Sequence, residues 1–195
     1  MSLLSKQAAA LLLGAIASLV VVSAQAAPAK PAGDAPAQKV SMLGGKLTFT
    51  LPKGFTATPL PAGEVTQGTA GATGTMYSNA TSRTVVIAAE NTIVNGTNVK
   101  DDDGAFLDTT MADFAAQRIK ALPDAKILSE KSLTQKGTGL GLRQLDTSAT
   151  QGGGPTLDTT LLGASGTRMA VVQIISRASD KVGHEALVKQ IASGQ

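Results

Sequence analysis

The sequence predicts an α+β fold, an antiparallel sheet of about six to seven strands covered by helices on both faces. Three observations predict it. First, "TVVIAAENT" (Thr84–Thr92) and "RMAVVQII" (Arg168–Ile175) are apolar at successive positions rather than at alternate ones. A strand of that kind points apolar side chains both ways and needs a layer above and a layer below. Second, strand-like stretches follow one another across short Gly-containing breaks, which is the signature of hairpins and hence of an antiparallel meander. Third, two stretches carry apolar residues at helical spacing and supply the cover.

Element by element, "KLTFTL" places Leu47, Phe49 and Leu51 on one face and Lys46, Thr48 and Thr50 on the other. That is a half-buried strand, and Pro52 and Gly54 close it. Thr56 to Thr75 is rich in Pro, Gly and Thr and lacks periodicity, so it reads as a long loop of a kind that often carries contacts. Leu60 and Val65, between its prolines and glycines, are the residues expected to touch a partner. A short strand is expected at Met76–Ser78 and a buried one at Thr84–Thr92. The first helix spans Ala105 to Leu122, with Leu107, Met111, Phe114 and Ala115 in one stripe, acids ahead of it and Pro123 behind it. Four strands follow: Lys126–Gln135, Gly139–Thr150, Thr156–Ala164 and Thr167–Ser176. The last helix runs from about Asp180 to Ser193, with Ser179 as its N-cap and Leu187, Val188 and Ile191 on one face.

The chain divides into three parts. Residues 1–26 read as a signal peptide: one cation, Lys6, an apolar run from Ala8 to Val22, then the small-x-small site Ala24-Gln25-Ala26 with cleavage before Ala27. The run is shorter than the roughly 20 residues that span a bilayer. Residues 27–39 are Pro- and Ala-rich and cannot bury enough apolar area to offset their chain entropy, so they read as a disordered linker. Residues 40–195 form a single domain with its own core. The expected compartment is the periplasm, with no membrane anchor after cleavage. With no cysteine, neither a disulfide framework nor a lipid-bearing cysteine is available.

Composition excludes several classes. Without Lys6 the chain carries 16 cations against 14 acids, spread evenly, which is no nucleic-acid footprint. One tyrosine, four phenylalanines and no tryptophan leave little for stacking bases or sugars.

Each chemical motif fails a physical requirement. "DDDG" (Asp101–Gly104) is the most metal-like stretch, but aligning Gly104 with the glycine of a calcium loop puts Val99 and Thr110 at the first and last ligand positions. The acids read instead as the start of a helix. His184 is the only histidine, which cannot build the usual zinc site, and it lies on the apolar side of the last helix. No G-x-S-x-G elbow is present, and "GASG" (Gly163–Gly166) reads as a hairpin turn. "GTGLGL" (Gly137–Leu142) and "GGGP" (Gly152–Pro155) lack the spacing, helix and lysine of phosphate loops. The chain therefore reads as non-enzymatic, without cofactor or metal.

With these stretches laid out, "LGGKLTFTLPKGF" (Leu43–Phe55), "MYSNATSRTVVIAAE" (Met76–Glu90), "SLTQKG" (Ser132–Gly137) and the hairpin series Arg143–Ile174 resemble the DcrB family. The family comprises envelope proteins with a PsbP-like fold. The resemblance covers about 150 residues and rests on strand patterns. It implies an antiparallel sheet flanked on both faces, a periplasmic place, and a link to envelope maintenance and phage uptake, with an envelope protein as partner. Broader relatives hold apolar segments of secreted proteins, so a chaperone or adaptor role is the alternative. The resemblance brings no catalytic residue. Some members are lipoproteins, from which this cysteine-free chain departs.

The leader gives the first prediction. Intact-mass measurement on protein exported by its native host is expected to return Ala27 as the N-terminus. Retention of residues 1–26 in the membrane fraction would overturn the assignment.

Overall fold

The computed structural model describes residues 35–63 and 71–195. The signal peptide with Ala26 and Ala27, most of the linker, and Val65 lie outside the described residues. The elements in chain order are β1 (Gln38–Met42), β2 (Leu47–Leu51), β3 (Thr56–Pro59), β4 (Thr73–Asn79), β5 (Thr84–Thr92), α1 (Gly104–Ala121), β6 (Lys126–Thr134), β7 (Gly141–Gln151), β8 (Gly154–Ser165), β9 (Arg168–Arg177) and α2 (Lys181–Ser193). Seven strands form one antiparallel sheet in the order β3-β4-β5-β9-β8-β7-β6. β1 and β2 form a separate antiparallel ribbon.

The cover is as the doubly apolar strands require. On one face, Leu107, Met111, Phe114 and Ala115 of α1 pack on Ala89, Leu145, Leu162, Met169 and Val171. On the other, Leu47, Phe49 and Leu51 of the ribbon join Leu187, Val188 and Ile191 of α2 against Val86, Leu142, Leu161, Val172 and Ile174. The fold is thus an α+β sandwich flanked on both faces, with a ribbon sharing one of the two covering layers.

The strand set differs from the expected one in two places. Leu47–Leu51 is half-buried as its alternation predicts, but it leaves the main sheet to pair with β1, whose register runs Val40 opposite Phe49 and Met42 opposite Leu47. Its partner begins at Gln38, inside the stretch expected to be linker. Gln38 Nε2 donates to the Phe55 carbonyl, and Gly54 N donates to Ala35 O, so this stretch is held from residue 35 onward. The second difference lies in the expected loop. Thr56–Pro59 pairs with β4 as an edge strand, and Leu60 N donates to Gly74 O at 2.9 Å. All four residues of β3 are exposed, so no alternation marks it, and proline is tolerated at an edge where its missing N–H costs no ladder bond.

The turns and caps follow local chemistry. β7 and β8 are joined by Gly152 and Gly153, both at positive φ (57° and 80°), the geometry a two-residue hairpin turn needs. α1 starts where the Asp103 carboxylate accepts from Phe106 N at 3.0 Å. For α2 the cap is Asp180, accepting from Gly183 N at 3.1 Å, not Ser179 as expected. Ser179 falls a residue too early to reach the free amides of the first turn.

Leu161 and Leu162 are neighbours on β8 that point to opposite faces, and both are sealed from solvent. Replacing either by alanine is expected to cost about 2–5 kcal/mol, read as a lowered urea midpoint. In a sheet covered on one side, only one of the two would show that loss.

Candidate functional site

Strands β6 and β7 extend past the edge of α2. Their pairing sets Ser129 opposite Asp146, Lys131 opposite Gln144, and Leu133 opposite Leu142, so these side chains share the face on which α2 lies. Because α2 covers only part of it, a cleft of about 700 Å³ remains between the helix and the β6 edge. That volume suits one drug-sized molecule. Leu128, Leu133, Leu157, Val188 and Ala192 supply its apolar surface, and Lys131, Lys136, Lys181 and Lys189 stand among its walls.

A hydrogen-bonded series lies beneath one end. Asp146 accepts from Ser129 Oγ, from Gln144 Nε2 (2.8 Å) and from Thr159 Oγ1 (2.7 Å), and pairs with Lys131 Nζ at 3.2 Å. Thr159 Oγ1 in turn lies 2.9 Å from His184 Nε2, and His184 Nδ1 lies 3.1 Å from Ser176 Oγ, which contacts Thr84 Oγ1 at 3.4 Å. The direction of the series follows from its first member. An ionised carboxylate only accepts, so Thr159 spends its proton on Asp146 and its oxygen accepts from His184 Nε2–H. The neutral imidazole then accepts at Nδ1 from the Ser176 hydroxyl.

Electrostatics keep these states in place. Burial pushes the Asp146 carboxyl up, but the bonds from Ser129, Thr159, Gln144 and Lys131 together hold it below the ordinary carboxylate range. Burial lowers the His184 pKa below 6.5, opposed more weakly by the charges of Asp146, Glu185 and Asp180. The structure thus brings together a serine, the lone histidine and an aspartate, the residue types of a hydrolytic triad. Ser176 is 1% exposed, its hydroxyl is engaged with His184, and a threonine stands between the imidazole and the carboxylate. The series locks α2 to the sheet; its serine has no approach for a substrate.

The opposite face holds a second polar group. Arg118 of α1 reaches Asp158 of β8, which also accepts from Gln173 Nε2 at 2.8 Å. Burial pushes the Asp158 carboxyl up to about 6, with Arg118 and Gln173 pulling against it. This cluster is sealed and supports packing.

The residues singled out by sequence are dispersed. Asp101 is bound by Lys46 Nζ (2.6 and 2.8 Å) and Ser165 Oγ (2.7 Å), which hold its carboxyl below the usual range. Asp103 is spent as a helix cap, and Asp102 is exposed. Among the described residues, no group of three or more His, Asp or Glu side chains converges as a metal site. Leu60 is half-buried near Gly74, at the β3 edge, the far side of the sheet from the cleft. Sequence reasoning missed the cleft residues. The available signal was in β7, where Gln144 and Asp146 continue the face begun by buried Leu142.

The neutral imidazole gives a pH prediction. A folded pKa below the unfolded 6.5 means that stability from His184 is full above pH 6.5 and is lost as pH falls through the folded value. The stability gap between wild type and His184→Gln, about 1–3 kcal/mol at neutral pH, is therefore expected to narrow on acidification. Comparing the two proteins at each pH cancels Asp158, whose raised pKa acts in the opposite sense. A gap unchanged from about pH 7.5 to about pH 5 would mean the imidazole is not held neutral.

No protein-family model matches the chain, and no curated protein matches it. Similar solved structures include two that align with most of the chain. One is the solution structure of cyanobacterial PsbP (CyanoP) from Synechocystis sp. PCC 6803, at 11% identity, covering 86% of this chain and 98% of that chain with a TM-score of 0.49. The other is a Pseudomonas aeruginosa protein of unknown function described as a putative regulator, at 13% identity, covering 79% of this chain and 92% of that chain with a TM-score of 0.38. At these levels neither similarity bears on function.

Proposed function

We propose that this chain is an exported, periplasmic, non-enzymatic binding protein of the DcrB type, serving maintenance of the cell envelope and phage uptake. Its partner in this reading is an envelope protein, and its binding site is the cleft between α2 and the β6–β7 edge. The observation that carries the reading is the cleft itself. It offers an open apolar surface, while the one serine–histidine pair beside it is sealed and bonded into the fold. Binding geometry without a reachable nucleophile favours holding a molecule over transforming it. Among the described residues, no helix is long and apolar enough to cross a membrane.

A second reading, a chaperone or adaptor that shields apolar segments of exported proteins, is favoured by one further observation. β6 is the outermost strand of the sheet and is largely exposed, so its free backbone groups lie next to the apolar cleft. An extended segment could add to such an edge. A contact at Leu60 would be a separate surface, since Leu60 lies at the opposite edge.

A photo-crosslinking residue at Leu128, at the exposed mouth of the cleft, is expected to capture an envelope protein in the native host. The same group at Ile119, on α1 across the sheet, should not. Val188→Arg, which fills the cleft with a charge, is expected to abolish capture at Leu128. Capture at Ile119 alone, or capture indifferent to Val188→Arg in a folded protein, would move the site elsewhere. An apolar client that is protected from aggregation in a cleft-dependent way would favour the second reading.

A further inference from the structure

The charges in the cleft are not evenly matched along its length. α2 lies along the cleft with its first turns beside Asp146 and Thr159 and its last turns beside Leu133 and Lys136. At the first end every charge is answered: Lys131 pairs with Asp146 at 3.2 Å and Lys181 with Glu185 at 3.7 Å. At the other end, Lys136 and Lys189 make no ion pair among the described residues, and they flank the apolar Leu133, Val188 and Ala192. Two of the C-terminal carbonyls of α2, which would oppose an anion there, are engaged: Gly194 N and Gln195 N donate to Ile191 O and Gln190 O.

We propose that the cleft binds a single-chain amphiphile with a carboxylate head, of the fatty-acid kind. The head lies between Lys136 and Lys189, and the chain runs over Leu133, Val188 and Ala192 toward Leu157. Three observations select this chemistry. The volume of about 700 Å³ takes one chain rather than a two-chain lipid. The inner end carries the ionised Asp146, whose partners already fill it, so an anionic head is repelled from the floor and held at the lysine end. Among the described residues no arginine lines the cleft, so the head meets two separate ammonium charges rather than a planar fork, and a singly charged carboxylate is the anionic head that costs least to strip of water there. The inference rests on the cleft being a binding site and adds a second occupant to it: the amphiphile lies at the Lys136–Lys189 end, and the envelope protein meets the cleft at its Leu128 mouth.

The test is a titration of the ¹⁵N-labelled full chain with dodecanoate below its micellar concentration, read by amide shifts. Saturable shifts confined to the amides around Leu133–Lys136 and Val188–Ser193 are expected. Dodecyl maltoside, with the same chain and a neutral head, should bind at least about tenfold more weakly, and so should dodecyl phosphate if the head site is built for carboxylate. Lys136→Glu/Lys189→Glu is expected to weaken dodecanoate about tenfold, since two exposed attractive pairs become repulsive. Both lysines are exposed, so the variant should fold, which its melting curve checks. Equal binding of the neutral detergent, an unchanged affinity in the double variant, or shifts elsewhere would overturn the proposal. Tighter binding of dodecyl phosphate would overturn the choice of head. If dodecanoate fails while crosslinking from Leu128 persists, the ligand chemistry is wrong and the cleft reading stands.

Discussion

Strands β8 and β9 put apolar side chains on both of their faces, and the rest of the architecture answers that demand. Leu161 and Leu162, Val171 and Val172 are all buried, although successive residues of a strand point in opposite directions. One helix cannot cover both sides of a sheet. The chain therefore divides its covering elements: α1 goes to one face, and α2 with the β1–β2 ribbon goes to the other. The central strands are sealed, while the outer strands β6 and β3 are left with exposed residues at the edges. The cleft arises from this allocation. On its face the ribbon and α2 together reach across the sheet as far as β7, and the uncovered remainder is the hollow beside β6.

Each face also carries a polar cluster, and the two clusters differ in consequence. Arg118 and Asp158 form a sealed ion pair in which loss of either partner would strand a buried charge, typically at a cost of about 3–5 kcal/mol. The Asp146–Thr159–His184–Ser176 series is made mostly of neutral groups, and one end opens to the cleft. It fixes the position of α2 relative to β7 and β8 through directional bonds, where apolar packing alone would tolerate sliding. That end of the cleft wall is consequently positioned by hydrogen bonds as well as by packing.

Much of the fold was legible because burial leaves a regular trace. The doubly apolar β5 and β9, the stripe Leu107–Met111–Phe114 of α1, and the glycine turns all announced themselves through periodicity or backbone need. β3 did not, since an exposed edge strand with prolines has no face to alternate. β1 did not either, because its company of Ala, Pro and Lys hid a five-residue pattern. Arg118 was visible in principle: it continues the apolar stripe at the spacing of Phe114 plus four, which marks a buried cation. The cleft was less legible. It depends on how far α2 reaches across the sheet, a distance between elements that no single segment encodes, although Asp146 on the face of Leu142 was a local sign of it.

The ribbon imposes an order on assembly. Its backbone is tied to the far end of the chain, with Thr50 N donating to Gln195 O at 2.8 Å and Gln190 Nε2 donating to Thr50 O at 2.9 Å, and Gln135 Nε2 reaches Thr48 O at 2.9 Å. The ribbon is thus anchored by residues about 140 positions later in the sequence. Its apolar residues Leu47, Phe49 and Leu51 share their core with Leu187, Val188 and Ile191 of α2. Contacts so distant along the chain slow folding. Until those contacts form, the apolar side of the ribbon lacks the part of its cover that α2 supplies.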